Sequence, residues 1–271
     1  MDELSRREAW LGLLYGEHRP VADGVISTAF RIAETGCRPF LGMSNDGRRY
    51  WVKHPGNAHG LKSLVSERVV AAVGVKIGAP VMPSRLLEIP KEVASIDWLR
   101  LRGVSAGLGH CSELVEPAFE STQLSFVSKD GNSRRQAKLI GLWELLEGCD
   151  EQWLYATGDD FMVWSFDHGF WMFGGEPGQD GGWVGPALEP LVESTARWTG
   201  SLRGLDASAF LEVAAAIDGL SVEELIACVA TVPVEWNVPD DDLESLAWWI
   251  YCRRGRVSRR MRSFASEVGR G

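Results

Sequence analysis

"FMVWSFDHGFWMFGGEPGQDGG", residues 161–182, sets the problem that the rest of the chain has to solve. Six mostly apolar residues run straight into Asp167-His168-Gly169, and a glycine-rich stretch follows. A short apolar run bounded by turn residues reads as a buried strand, and a carboxylate does not belong inside one without a partner. Taken alone, the stretch also fits a β-hairpin with an Asp-Gly bulge.

Working outward, Asp150 stands 17 residues before Asp167, behind an amphipathic helical segment RRQAKLIGLWELLEG (134–148). Residues 150–170 read as loop and hairpin, and 174–186 as a glycine-rich loop. From about Ala187 the pattern is almost all helical, with a capping box at Ser221 and Glu224 and a last long helix over DDLESLAWWIYCRR (241–254). The first half is strand-rich instead. GVISTAFRI (24–32), CRPFLGM (37–43) and RRYWVKH (48–54) lean to strand, with a hairpin turn at Asn45-Asp46-Gly47. In the third of these, Trp51 and Lys53 share one face, Tyr50 and Val52 the other. LKSLVSERVVAAVGVKIG (61–78) reads as a helix with Leu64, Glu67 and Ala71 on one stripe, stopped at Gly74 or Gly78. VMPSRLLEIP (81–90) and IDWLRLRGV (96–104) are expected strands, and HCSELVEP (110–117) leads out of this half. Strands first and helices after predict an α+β protein with a cleft where the halves meet.

Composition narrows the class. The chain has 271 residues, 45% hydrophobic and 24% charged, enough for one large domain or two lobes. A net charge of -9 argues against sequence-independent phosphate binding, so no direct nucleic-acid binding is expected. Six arginines and no acid lie between Arg253 and Arg262; the stretch is either a solvated helix face or a docking patch for an acidic partner. Five scattered cysteines without CxxC spacing favour a reducing, cytoplasmic setting. The N-terminus does not read as a signal peptide, and no apolar run has membrane-spanning length.

Two motifs invite chemistry and lose on spacing. GNAHGLKS (56–63) lies where a P-loop would, but three residues rather than four separate its glycines, and Leu61 precedes Lys62. A looser phosphate-binding loop stays open. GVSAG (103–107) fits a nucleophile elbow, yet GLGHCSELVEP follows it with no helical period, which leaves a simple turn. Trp143, Trp153, Trp164, Trp171 and Trp183 crowd the second half; core packing accounts for them more readily than an aromatic ligand platform.

A lysine on a strand, a glutamate on the next helix, a loop aspartate and a strand-terminal Asp-x-Gly occur here in one order. That order resembles the protein-kinase arrangement, and more closely the compact HipA-like kinases. YWVKHPGNAHGLKSLVSE (50–67) resembles the family's strand-lysine, loop and helix-glutamate block, and FMVWSFDHGFW (161–171) is similar to its "IDHG" segment. The resemblance covers about residues 25–175. It implies a two-lobed protein-kinase-like fold, with a β-rich N-lobe at 1–112 and a mainly helical C-lobe at 113–271. It further implies a serine/threonine protein kinase dependent on ATP and Mg²⁺, with a toxin-like role; a pseudokinase or regulatory binding module and a small-molecule kinase stay open.

In that frame Lys53 contacts the nucleotide phosphates and Glu67 holds it, Asp167 binds metal, and Asp150 is the catalytic carboxylate. Gly169 is expected to turn the backbone away after Asp167. The loop around Gly36 covers the phosphates. His110 to Val115, with Glu113 and Leu114 at its centre, forms the hinge beside the adenine. One departure stands out: kinases place a metal-binding Asn five residues after the catalytic Asp, and here that position is Tyr155. Gln152 is the candidate substitute metal ligand. His168 is read as a core histidine. The loop 174–186 holds no hydroxyl for activation by phosphorylation, which leaves Ser63, Ser66 and Ser105 as sites elsewhere.

Overall fold

The computed structural model describes residues 3–172, 185–194 and 198–270. The glycine-rich loop, apart from its last two positions, and Trp183 lie outside the described residues.

The first half comprises strands β1 (Ile26–Ile32), β2 (Phe40–Ser44) and β3 (Arg49–Lys53), helix α1 (Leu61–Lys76), and strand β4 (Ser84–Ile89). Two short helices, α2 (Lys91–Ala94) and α3 (Asp97–Arg100), lead to strand β5 (Gly107–Glu113). The strands pair antiparallel in the order β1-β2-β3-β5-β4. Tyr50 and Val52 point into a buried cluster with Ile26, Phe40, Leu87 and Ile89. Alternation along the strand therefore sends Trp51 and Lys53 to the other face.

Two expectations for this half are corrected. Residues 96–104 are not a strand but contain α3, and the strand next to β3 is β5, whose glycines hid it. Gly109 lies between β3 and β4, where a Cβ would stand 3.1 Å from the Lys53 carbonyl oxygen and 3.0 Å from Ile89 Cδ1. Close backbone approach demands a residue that strand propensity disfavours. Helix α1 also runs through Gly74 rather than stopping there. A Cβ at that position would meet Val81 Cγ1 at 2.4 Å, so this glycine serves packing, and the left-handed residue after the helix is Gly78 at φ +70°.

The second half opens with β6 (Ala118–Ser121) and α4 (Asn132–Leu145), then β7 (Trp153–Ala156) and β8 (Met162–Ser165). The three strands form a small antiparallel sheet in chain order. Helices α5 (Ala207–Gly219), α6 (Val222–Val229) and α7 (Asp240–Val268) follow; the Ser221/Glu224 capping box opens α6 as expected. One large buried cluster joins α1 to these elements. Trp143, Trp153, Trp171 and Trp198 pack within it at ring separations of 5.2 to 6.2 Å, which makes them core rather than a ligand platform.

Two placements differ from the sequence reading. The first segment, assigned to the N-lobe, packs on α7: Trp10 is fully buried in the large cluster, and the amides of Gly12 and Leu14 donate to Glu244. Much of the arginine-rich stretch is also engaged within the protein. Arg253 is 1% exposed and donates to the carbonyls of Glu144, Leu145, Leu191 and Ser194 and to the Glu147 carboxylate. Arg254 reaches the Leu220 carbonyl, Arg256 those of Val192 and Ser194, Arg260 pairs with Glu144 and Arg262 with Asp218. The helix turns several of these cations toward carbonyls and carboxylates of neighbouring segments, while Arg259 is exposed. No helix among the described residues is long and apolar enough to cross a membrane.

Candidate active site

Lys53 closes β3 on the face opposite the sheet's core, and its Nζ contacts Glu67 Oε1 of α1 and Asp167 Oδ1 of the loop after β8. Burial is graded across the three: Glu67 is 2% exposed, Lys53 12% and Asp167 29%. Glu67 is thus the anchor and Asp167 the group that faces the open side. The remaining oxygen of Glu67 lies 3.6 Å from His168 Nδ1 and 3.9 Å from His110 Nε2, and the carboxylate also accepts the His168 backbone N–H. His168 Nε2 is 2.7 Å from Ser165 Oγ, so the histidine is a core residue as expected. The turn after β8 was expected to depend on Gly169; instead Asp167 itself takes the left-handed conformation, at φ 56°. Aspartate tolerates that region better than most residues, and the twist swings its carboxylate back onto Lys53.

The charges shape one another. Burial pushes the Lys53 ammonium down, but Asp167 and Glu67 outweigh it and hold the group above the ordinary lysine range. Burial likewise pushes Asp167 up, and the Lys53 charge and hydrogen bond overcome it, leaving the carboxyl below its usual value. At Glu67, deeper in, burial wins over Lys53 and the pKa is raised. Burial, reinforced by the Lys53 charge, lowers His168 to about 3, and burial with Arg68 and Lys53 drives His110 well below its usual value. Both imidazoles are therefore neutral at physiological pH, and the lysine's positive charge is directed toward Asp167 and the cleft.

The cleft holds about 120 Å³ and is walled by Trp51, Lys53, Glu113, Glu120, Gln152 and Asp167, among others. Its far side is the segment that follows β5. Glu113 lines it as expected; Leu114 does not, and Val115 does. The Glu113 amide donates to the Pro83 carbonyl and the Leu114 amide to the Arg49 carbonyl, so both are committed to the sheet. Among the described residues the Val115 amide has no such partner. Above the cleft, Thr35 and Ala33 contribute, whereas Gly36 does not. A Cβ at Gly36 would stand 2.6 Å from His59 Nε2, and the His59 ring rests 4.5 Å from Phe170, so the loop between β1 and β2 folds down onto the other half. Glu120 of β6 was missed by sequence reading because a four-residue strand carries no legible period; burial and the Asp167 charge raise its pKa. Trp51 was legible through its shared face with Lys53.

Comparison with known proteins decides what this arrangement resembles. Residues 25–141 match the HipA-like kinase family. The structure is similar to that of the Helicobacter pylori proinflammatory kinase CtkA, with a TM-score of 0.58 at 10% identity, covering 91% of this chain and 98% of that one. A Golgi casein kinase aligns at a TM-score of 0.46 and 12% identity, over 92% of this chain and 74% of that one. A Golgi casein kinase structure with Mn/ADP bound aligns at 0.42 and 11% identity, over 97% and 75%. No curated protein matches the chain. The fold is protein-kinase-like, an antiparallel sheet region followed by a helical one, and the family match together with the fold supports a kinase-type phosphotransferase.

The loop before β7 lies beyond the residues that match the family. Asp150 is exposed, sits at φ 61° and does not line the cleft; its carboxylate accepts Gln152 Nε2 at 2.8 Å. Gln152 does line the cleft, and with its nitrogen held by Asp150 its Oε1 is the atom left to face the site. Tyr155 is buried in β7 and its Oη accepts the Ser125 amide at 2.6 Å, so that position supplies no metal ligand.

The two glycine-bearing motifs turn out to bind each other. Ser105 Oγ accepts the Gly56 amide at 2.7 Å and the Ser105 amide donates to His54 Nδ1 at 3.2 Å. Lys62, the lysine of the P-loop-like stretch, pairs with Asp242 at 3.6 Å. Ser105 thus pins the loop after β3.

Proposed function

We propose that this protein is an ATP- and Mg²⁺-dependent phosphotransferase that acts on a hydroxyl group, with a serine or threonine of a protein as the acceptor. The observation that carries the reading is Lys53 held between Glu67 and Asp167 at the wall of a cleft whose opposite edge is Glu113–Val115.

Phosphoryl transfer asks a protein for positioning and for neutralisation of negative charge. Lys53 is the cation for the nucleotide phosphates, and Glu67 holds its ammonium from below. The unengaged Val115 amide and the neighbouring carbonyls suit the edge of an adenine. Among the described residues no three acidic, His or Cys side chains form a ready-made cation cage. Mg²⁺ is commonly held by one or two carboxylates together with nucleotide phosphates. Asp167 and Gln152 are the oxygen donors on the cleft wall and fit such an ion; bound there, it would neutralise phosphate charge. Asp150, which reaches the cleft wall through its hydrogen bond to Gln152, is assigned the role of orienting the acceptor hydroxyl. A cleft of about 120 Å³ is small against the roughly 300–1,000 Å³ of ligand pockets, so the Gly36 loop must lift from His59 for a nucleotide to enter.

One observation favours a second reading, a nucleotide-binding module without transfer. The kinase pattern puts the metal-binding Asn five positions after the catalytic Asp. Starting from Asp150 it reaches the buried Tyr155; counting back from Gln152 it reaches Glu147, which is buried against Arg253.

Calorimetry with ATP and Mg²⁺ tests binding, and transfer of radiolabelled phosphate tests chemistry. Binding together with transfer that Asp150→Ala removes supports the enzyme. Binding without transfer supports the module, and no heat at millimolar ATP overturns both.

A further inference from the structure

Behind α1, on the side away from Lys53, lies a second cavity of about 490 Å³, inside the size range of small-molecule sites. Its walls are α1, residues 81–84 and α6, and most of its lining is aliphatic: Ala71, Val75, Pro83 and Ala227. Two cations reach it. Lys76 has Glu224 at 3.5 Å. Arg68 has nothing comparable: its Nε is buried without a partner, and among the described residues no hydrogen bond or ion pair engages its guanidinium. Asp23, whose charge it feels, uses its carboxylate on the Leu86 amide instead. A guanidinium presents five donors in a fixed fork, and leaving its buried Nε without a partner is costly. An anion in the cavity would satisfy them, and the aliphatic walls would take an apolar body attached to it.

We propose that this cavity is a binding site for a small organic anion, a single carboxylate or phosphate head carried on an apolar body, with Arg68 as the head-group ligand. The site adjoins the cleft. Arg68 follows Glu67 on α1, Met82 lines both cavities, and the Met82 amide donates to Ser165, two residues before Asp167. Occupancy behind α1 therefore couples to nucleotide affinity through the Glu67–Lys53 contact, a consequence that rests on the proposed nucleotide site.

Fluorescence titration of the full chain with naphthalene-2-carboxylate, 2-naphthyl phosphate and the uncharged naphthalene-2-methanol tests the site. At least one anion is expected to bind saturably below millimolar concentration and at least tenfold more tightly than the alcohol; which one is tighter separates a carboxylate ligand from a phosphate ligand. Arg68→Gln is expected to weaken binding at least tenfold. Ala227→Leu, at an exposed helical position that narrows the cavity without entering the core, is expected to weaken it too and serves if Arg68→Gln fails to fold. Absence of saturation, equal binding of the alcohol, or undiminished binding by either folded variant overturns the proposal. For the coupling, saturating probe is expected to change ATP affinity by the same factor by which ATP changes probe affinity. No change in either overturns the coupling, whereas failure of ATP to bind at all overturns the nucleotide reading and leaves the probe result standing.

Discussion

The Lys53 ammonium and the Glu67 carboxylate, 14 residues apart in the chain, meet beneath the cleft because β3 and α1 turn their inner faces to the same point. Glu67 is the more deeply buried partner and also accepts the His168 amide. Removing one member of a buried pair costs about 3–5 kcal/mol when the other is left uncompensated. Lys53 keeps Asp167, so Glu67→Gln is expected at the lower end, about 3 kcal/mol, measured by urea denaturation. ATP affinity should fall with it; unchanged affinity would detach Glu67 from the site.

Asp167 is the exposed end of the same network and the carboxylate that faces the cleft. Asp167→Asn retains shape and the left-handed turn, which asparagine also tolerates. Turnover is expected to drop by about a hundredfold or more, with the melting temperature lowered only modestly. Chelation of divalent metal should abolish transfer in the parent protein, and restored Mg²⁺ should return it. Full activity in excess chelator would contradict the assignment of Asp167 to a metal.

Acid should destabilise the fold through its buried histidines. His168 is lowered to about 3 and His54 to about 4, both mainly by burial, from an ordinary value of 6.5. The unfolded chain binds these protons first, so the stability they confer is full above pH 6.5 and is lost as pH falls toward those folded values. Each excluded proton contributes a slope of about 1.4 kcal/mol per pH unit in that window. Asp167, held low by Lys53 against burial, adds a further loss below about pH 4, the ordinary carboxylate range. Stability measured from pH 7 to pH 4 should show this fall, and His168→Gln should be less steep by one proton. A flat profile would mean that the imidazoles are not buried neutral.

Gly74 sets helix propensity against packing. In an open helix, Gly→Ala gains about 1 kcal/mol. Here the new methyl would stand 2.4 Å from Val81 Cγ1 and 3.3 Å from Leu142 Cδ2. Overpacking of that kind costs about 1–3 kcal/mol, so packing wins and Gly74→Ala is expected to destabilise. Double substitution with Val81→Ala should recover part of the loss; a stabilised single variant would show that α1 does not press on residue 81.

Arg253 and Arg259 stand six positions apart in the same basic run and differ completely in surroundings. Arg253 is enclosed by five acceptors, whereas Arg259 is exposed. Arg253→Ala is expected to cost about 3–5 kcal/mol, since it leaves the Glu147 carboxylate buried and unpaired. Arg259→Ala should stay within about 0.5 kcal/mol. Similar effects from both would restore the surface-patch reading of this stretch.

Period, turn chemistry and residue type already determined much of this protein from sequence. The alternation in RRYWVKH put Lys53 on the face opposite Tyr50 and Val52, the helical stripe put Glu67 inward, and the strand-terminal Asp167 stood out because an apolar run cannot bury it alone. Their order along the chain was enough for the kinase resemblance. Other features were settled only in three dimensions, because they depend on atoms distant in sequence. Gly109 is a strand residue since β3 and β4 press on it from both sides, which local propensity cannot register. Three of the arginines of α7 are taken up by backbone carbonyls of the end of α4, of residues 191–194 and of Leu220. Asp167, not Gly169, takes the left-handed turn, and its carboxylate meets the Lys53 ammonium, a partner 114 residues away in the chain. Local physics chose the elements and aimed their side chains; long-range contact decided which of those side chains were available for chemistry.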